Sequence, residues 1–433
     1  MSADRAGTQV SPESLPKVRN LGWRVTMAGM GINLALGVLY TWSVISKSIP
    51  EAWGWTEAQK SLPYSIAILA FAFMTVPAGR LQDRIGPRVV ATLGGLFVGL
   101  GLLLASRTQS MLGFVVGFGL LAGAGIGLGY ASATPPAIKW FPARRTGLIA
   151  GLVVGGFGLA SAYAAPLATW LIANYSLSTA IATFGVGFLV VVMLLAQLLR
   201  NPPAGYKPED PAAAAGAAAP APAVVNYSPG RMLGTGQFWL LWLMYAFAAG
   251  SGLMIVGKLA KIVAAQGGIE KAGFAFVAIL AVGNAGGRVL AGTLSDRLGR
   301  LTTMRIVFVF QAVLMLLLSR AFSGNALGTL VGFTLLSALI GANYGANLSV
   351  FPSVTKDYFG LKNFGVNYGL VFTAWGVGGF VMPYVCGCIY DANVAANAAG
   401  AFVQSYYLAA VLLALAALLS FAVKPPAKEA AEA

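Results

Sequence analysis

The sequence predicts an all-α polytopic membrane protein, with twelve transmembrane helices in two six-helix pseudo-symmetric bundles. Three observations predict it. Of 433 residues, 58% are hydrophobic and only 9% are charged, where a soluble fold of this length needs far more polar surface. Apolar runs of about 20 residues, the length that crosses a bilayer as a helix, recur along the chain. The second half also repeats the glycines, acids and arginines of the first at corresponding places.

Taken in order, residues 1–20 are polar, with Pro12 and Pro16, and read as a cytoplasmic tail without a signal peptide. The first bundle, 21–200, holds apolar segments at 22–45, 58–78, 89–105, 111–138, 146–174 and 178–199. Residues 201–235 are Ala-rich and contain Pro202, Pro203, Pro208, Pro211, Pro220, Pro222 and Pro229, so they read as a cytoplasmic linker that buries no core. The second bundle, 236–424, repeats the scheme at 237–263, 274–294, 302–321, 326–351, 364–390 and 401–423, before a short cytoplasmic tail at 425–433.

The charges orient this plan. Counting helix ends with their connections, 20 of the 28 Lys and Arg fall in the tails and even-numbered connections, 7 in the odd-numbered ones, and one, Arg288, inside a helix. Cytoplasmic loops carry such an excess, so both termini are expected on the cytoplasmic side of a plasma (inner) membrane. The net charge of +15 therefore reflects topology and not a nucleic-acid partner. An enzyme is excluded, because the chain has no His and its 13 carboxylates lie in tails, loops or helix ends, Asp391 being the nearest to the interior. No cofactor or metal is expected either. Cys386 and Cys388, two residues apart on one helix, point to different sides and form neither a disulfide nor a metal site.

Arg288 is the first functional candidate. An arginine near the bilayer centre costs roughly 2.5–3.5 kcal/mol on insertion scales, so it faces a cavity or a partner. Asn284 lies one turn earlier on the same face, placed to hold the guanidinium or to bond a substrate. The internal repeat points to the same region. Gly79, Asp83, Arg84 and Gly86 recur as Gly292, Asp296, Arg297 and Gly299; Gly127 to Tyr130 recurs as Gly341 to Tyr344; Gly151, Leu152, Phe157 and Gly158 recur as Gly369, Leu370, Trp375 and Gly376. Duplicated bundles place a substrate at their interface near the midplane, where Tyr130 and Tyr344 would face each other across one cavity. Asn33 and Leu36 of the first helix, with Phe372 of the eleventh, complete the expected lining. The Gly-x-x-x-Asp-Arg-x-Gly segments read as tight turns in which Gly79 and Gly292 permit close approach, and Arg84 and Arg297 pair with the neighbouring acids or with headgroups.

These doubled motifs, the six-plus-six plan and the central linker resemble the major facilitator superfamily over roughly residues 20–424. The resemblance implies alternating access, with the two motif segments latching the cytoplasmic side when the carrier faces outward. Trp140, Phe141, Pro142, Arg144 and Arg145, together with Asn367, Tyr368, Gly369 and the run Phe372 to Gly376, are similar to the branch of oxalate/formate antiporters and monocarboxylate carriers. In that branch the arginine matching Arg288 anchors an anion. Two departures narrow the substrate. Trp375 stands where oxalate carriers are expected to hold a second cation. Asn284 stands where animal lactate carriers are expected to hold an Asp, and the first helix has no Lys before Lys47.

A single buried guanidinium neutralises one carboxylate through two parallel donors, so the sequence points to a monocarboxylate such as L-lactate or pyruvate, with Trp375 as an apolar wall. The proton of a symport would travel on the substrate or transiently on Asp391. Exchange of one carboxylate for another and a transporter-derived sensor stand as alternatives, whereas a channel fits poorly with a single bottleneck cation. The expected working unit is a monomer in the lipid bilayer.

Overall fold

The computed structural model describes residues 20–142, 145–203, 206, 208, 226–360 and 362–426. Arg144, nearly all of the tail 1–20, most of the linker 201–235 and most of the tail 425–433 lie outside the described residues. Within them run twelve long helices: α1 (Gly22–Lys47), α2 (Glu57–Ile85), α3 (Pro87–Ser106), α4 (Met111–Ile138), α5 (Thr146–Asn174), α6 (Leu177–Ala196), α7 (Gly236–Gly267), α8 (Gly273–Leu298), α9 (Arg300–Leu318), α10 (Leu330–Phe359), α11 (Phe364–Asn393) and α12 (Val403–Ala422). Eleven are long and apolar enough to cross a bilayer. The other, α10, has 30 residues, and its polar centre is self-satisfied: Asn343 and Asn347 donate to the Leu339 and Asn343 carbonyls. Among the described residues there is no strand.

The repeat is visible in the backbone. The α2–α3 and α8–α9 turns each rest on one glycine with nearly the same conformation, Gly86 at φ 90°, ψ 155° and Gly299 at φ 86°, ψ 155°. That region is essentially open to glycine alone. The expectation about Gly79 and Gly292 is thereby corrected. Both lie inside helices that continue to Ile85 and Leu298, because charged residues beyond the apolar stretch still complete the helical hydrogen bonds. The last glycine of each motif makes the turn, and the first does not.

Close packing within each half comes from small residues on facing helices, the usual way membrane helices approach. Gly283 and Gly287 of α8 lie against the Ala338 and Ala342 carbonyls of α10, while Gly341 and Gly345 of α10 lie against the Leu280 and Asn284 carbonyls of α8. The reciprocal contact locks α8 in place and thus fixes where Arg288 points. Gly94 and Gly101 of α3 meet Gly125 and Gly117 of α4 in the same way. Between the halves, α2 runs along α11 and α5 along α8. Helices α6, α9 and α12 turn apolar side chains such as Leu194, Val309 and Leu418 outward.

The two ends of the molecule differ. At the end bearing the Gly86 and Gly299 turns, ion pairs among the described residues stay within each half: Lys139 approaches Asp83 at 4.0 Å, and Arg300 binds Asp296 at 2.6 Å and Asp357 at 2.9 Å. The expected partners Arg84 and Arg297 make no ion pair among the described residues; Arg300, four residues after Asp296, takes that place. The opposite end is tied across the halves. Glu57 at the start of α2 is bound by Lys258 at 2.9 Å and Lys261 at 2.6 Å from α7, and the Lys47 ammonium donates to the Glu270 carbonyl at 2.6 Å. Near the first end, the linker's last residues dock on the second half, where the Asn363 and Asn367 side chains donate to the Tyr227 carbonyl.

Candidate functional site

Helices α1, α2, α4, α5, α8, α10 and α11 converge on one small, partly open space at the junction of the halves, with a volume of about 10 Å³, close to that of a single water. Arg288 forms one wall, with Tyr130, Phe372 and Trp375, and with Tyr40, Phe71, Phe157 and Leu348. The Arg288 side chain is 8% exposed. Its Nε donates to Asn284 Oδ1 at 3.1 Å and its Nη1 to the Val154 carbonyl of α5 at 2.9 Å. Nη2 is buried and has no partner among the described residues. Leaving a charged donor unsatisfied is costly, so this atom marks where an acceptor is wanted. Gly158 of α5 comes close enough that a methyl added there would lie 3.2 Å from Nη2. The half that lacks the arginine therefore shapes the space around it.

The remaining wall is aromatic. Phe372 stacks on Trp375, with centroids 4.9 Å apart and planes 9° apart, and lies parallel to Tyr130 at 6.2 Å. Phe71 stands edge-on to both Trp375 and Tyr130 at 5.1 Å. Such offset and edge contacts hold rings in fixed orientations. The Tyr130 hydroxyl bonds no described residue. Tyr344 behaves differently: its hydroxyl lies 2.7 Å from the Tyr40 hydroxyl and accepts from Trp375 Nε1 at 2.9 Å. The two repeat-related tyrosines are therefore not equivalent. Tyr344 holds the wall together, and Tyr130 keeps a free hydroxyl over the cavity.

Of the sequence candidates, Arg288, Tyr130, Trp375 and Phe372 meet at this space, with Asn284 and Tyr344 one bond away. Asn33 and Leu36 do not line it. Asn33 is fully buried and donates to the Val153 carbonyl at 2.8 Å, and Leu36 packs beside Gly129. Asp391 is elsewhere too, since its carboxylate accepts from the Glu57 and Ala58 N–H groups, each at 2.8 Å, and so caps the start of α2. Carboxylates stabilise helix N-termini in this position, so Asp391 is a clasp between the halves and is not placed to serve the cavity.

The sequence reading missed Tyr40, Phe71, Phe157 and Leu348. Phe157 had a signal, being the repeat partner of Trp375. For Tyr40 the only signal was Gly37: here α1 tightens to a 3₁₀ stretch over Gly37–Thr41, with Gly37 pressed against Ala160 and the Phe157 carbonyl. Among the described residues no three His, Cys, Asp or Glu gather to hold a metal. A larger hollow beside Ser106, Arg107 and Ser178 is an open surface dish away from the junction of the halves.

The space thus lies at the junction of two repeated bundles, with one buried cation and an aromatic wall. The sequence matches the family model of the Major Facilitator Superfamily over residues 25–383 and again over 241–433. It is 28% identical over 345 residues to the oxalate:formate antiporter of Oxalobacter formigenes, covering 78% of this chain and 77% of that one. Over 411 residues it is 28% identical to monocarboxylate transporter 11 of Homo sapiens, covering 90% of this chain and 80% of that one. The fold is similar to that of a bacterial homologue of the human lysosomal transporter Spinster in an inward-facing, unoccupied conformation, with a TM-score of 0.66 and 17% identity over 94% of this chain and 97% of that one.

Proposed function

Because the chain belongs to the Major Facilitator Superfamily and is a transporter, not an enzyme, we propose that its cargo is a small monocarboxylate, L-lactate or pyruvate, carried with a proton by alternating access. The single observation that carries this reading is Arg288: a buried guanidinium with two donors engaged by the protein and Nη2 left for a ligand, facing a space without any described carboxylate. One cation takes one carboxylate. The unbonded Tyr130 hydroxyl supplies a donor for its second oxygen or for a 2-hydroxyl, while Trp375 and Phe372 contact the methyl group. A dicarboxylate would bring a second charge against an aromatic wall, at a large desolvation cost.

Direction and coupling follow from the same charges. The excess of Lys and Arg assigns the Gly86 and Gly299 end to the cytoplasm and the Glu57 end to the outside. The cavity is then sealed from outside. The lactate carboxylate and Arg288 form a neutral pair for crossing the low-dielectric interface, and with one proton accompanying each lactate the cycle transports no net charge. The bonds to Asn284 and Val154 give Arg288 hydrogen-bond partners in the empty carrier, a condition that an unladen return step in symport requires.

Exchange is the second reading. It is favoured by the similarity to an oxalate:formate antiporter, and by the absence of a titratable carboxylate beside Arg288 among the described residues. Counterflow tests the shared core of both: liposomes loaded with unlabelled L-lactate should accumulate labelled L-lactate, and Arg288→Ala should abolish this. A protein that binds lactate but shows no counterflow would be a sensor.

A further inference from the structure

Among the described residues the deepest carboxylate lies outside the central site. Glu57 is 5% exposed, and Lys258, on its far side in α7, is 2% exposed. The sequence counts Lys258 with an outer connection, yet the structure buries it inside a membrane helix. It lies six residues beyond Gly252, which packs on the Tyr344 ring, so it stands about 9 Å along α7 from the level of the central site. Its ammonium donates to Glu57 Oε2 at 2.9 Å and to the Glu57 carbonyl at 3.1 Å. Lys261, the second partner, sits over the Tyr390 ring at 4.0 Å. Lys60, one turn after Glu57 on the same helix, completes the cluster at 3.3 Å.

We propose that Lys258, with Lys261 beside it, is a second carboxylate site at the outer end of the transport path, which Glu57 fills while that end is closed and a substrate carboxylate fills when it opens. This rests on the monocarboxylate reading above. The partition of charges between the halves supports it. Glu57 and Lys60 belong to the first half and move together as a neutral pair. Lys258, Lys261 and Asp391 belong to the second half and carry one net positive charge. When the halves part, Asp391 loses the Glu57 and Ala58 N–H groups and is left near Lys261. Lys258 loses the one carboxylate it bonds among the described residues. With Glu57 withdrawn and the outer end open, the ammonium is free to take a substrate carboxylate through a charge-assisted hydrogen bond. A monocarboxylate has the chemistry of the side chain it replaces. From Lys258 it passes inward to Arg288, so the path presents two cations in succession.

The test is lactate exchange in oriented proteoliposomes at saturating internal L-lactate, with external labelled L-lactate varied. Lys258→Gln should raise the external half-saturation roughly 10-fold, the size of one charge-assisted hydrogen bond. Glu57→Gln, which removes the tethered competitor and keeps the cation, should lower it. The internal half-saturation should stay unchanged in both. A latch without a binding role requires both variants, which break the same bond, to shift the external value in the same direction; that result, or an unchanged value in Lys258→Gln, overturns the proposal. The double variant Glu57→Gln with Lys258→Gln replaces the ion pair by two amides that bond each other, and it should show the raised external value of Lys258→Gln with the packing preserved. A wild-type protein that exchanges no monocarboxylate would instead refute the function proposed above.

Discussion

Replacing Arg288 by Lys keeps the charge and changes only the geometry, so it isolates what the guanidinium does. Arg288 uses Nε for Asn284 and Nη1 for Val154, and has Nη2 to spare. A lysine ends in one nitrogen with three donors at a point and cannot span the two protein partners while presenting a flat edge to a carboxylate. The variant gives up at least one charge-assisted hydrogen bond to the substrate, worth about 1.5–3 kcal/mol. At about 1.4 kcal/mol per factor of ten, lactate half-saturation in counterflow should rise roughly 10- to 150-fold. The melting temperature of the purified protein in detergent should change little, because the charge remains and Asn284 still faces it. Half-saturation within two-fold of wild type, in a protein that melts normally, would refute the view that a fork of donors holds the substrate.

Three further outcomes follow from the same geometry. Tyr130→Phe removes a hydroxyl with no partner among the described residues and should raise half-saturation several-fold without lowering the melting temperature, whereas Tyr344→Phe removes the atom joining Tyr40 to Trp375 and should lower stability by about 1 kcal/mol in thermal unfolding. Gly287→Ala puts a methyl into the Ala342 carbonyl and should cost about 1–3 kcal/mol, while Gly286→Ala, with nothing within 4 Å, should melt no lower than wild type. Gly86→Ala should cost about 1–3 kcal/mol, because Gly86 holds a glycine-only conformation; Gly79→Ala, in open space inside α2, should be neutral or slightly stabilising, and a loss equal to that of Gly86→Ala would contradict the turn assignment.

Much of the fold was legible because its driving term is local. An apolar run of about 20 residues has to become a helix in a bilayer whatever surrounds it, and spans such as 111–138 and 146–174 coincide with α4 and α5. Helix ends were less legible, since α2 and α8 extend through Arg80 to Ile85 and through Ser295 to Leu298, polar and charged turns in which hydropathy carries no signal. Arg288 and Asn284 could be paired from their spacing alone. Contacts between the halves could not: Tyr40 and Tyr344 are 304 residues apart, and Lys258 and Glu57 are 201 apart. A lysine near the end of an apolar run looks like part of a loop until its carboxylate is found on another helix. Asn33 misled for the complementary reason, because a polar residue on the first helix satisfies the α5 backbone as readily as a ligand.

The most direct test of the central claim is uptake of labelled L-lactate into proteoliposomes with an imposed inward proton gradient and no internal substrate. Concentrative uptake should appear in the wild type, vanish when the gradient is collapsed, and be absent in Arg288→Ala. Uptake that begins only after a carboxylate is loaded inside would contradict symport, and uptake retained by Arg288→Ala would contradict the role assigned to the arginine.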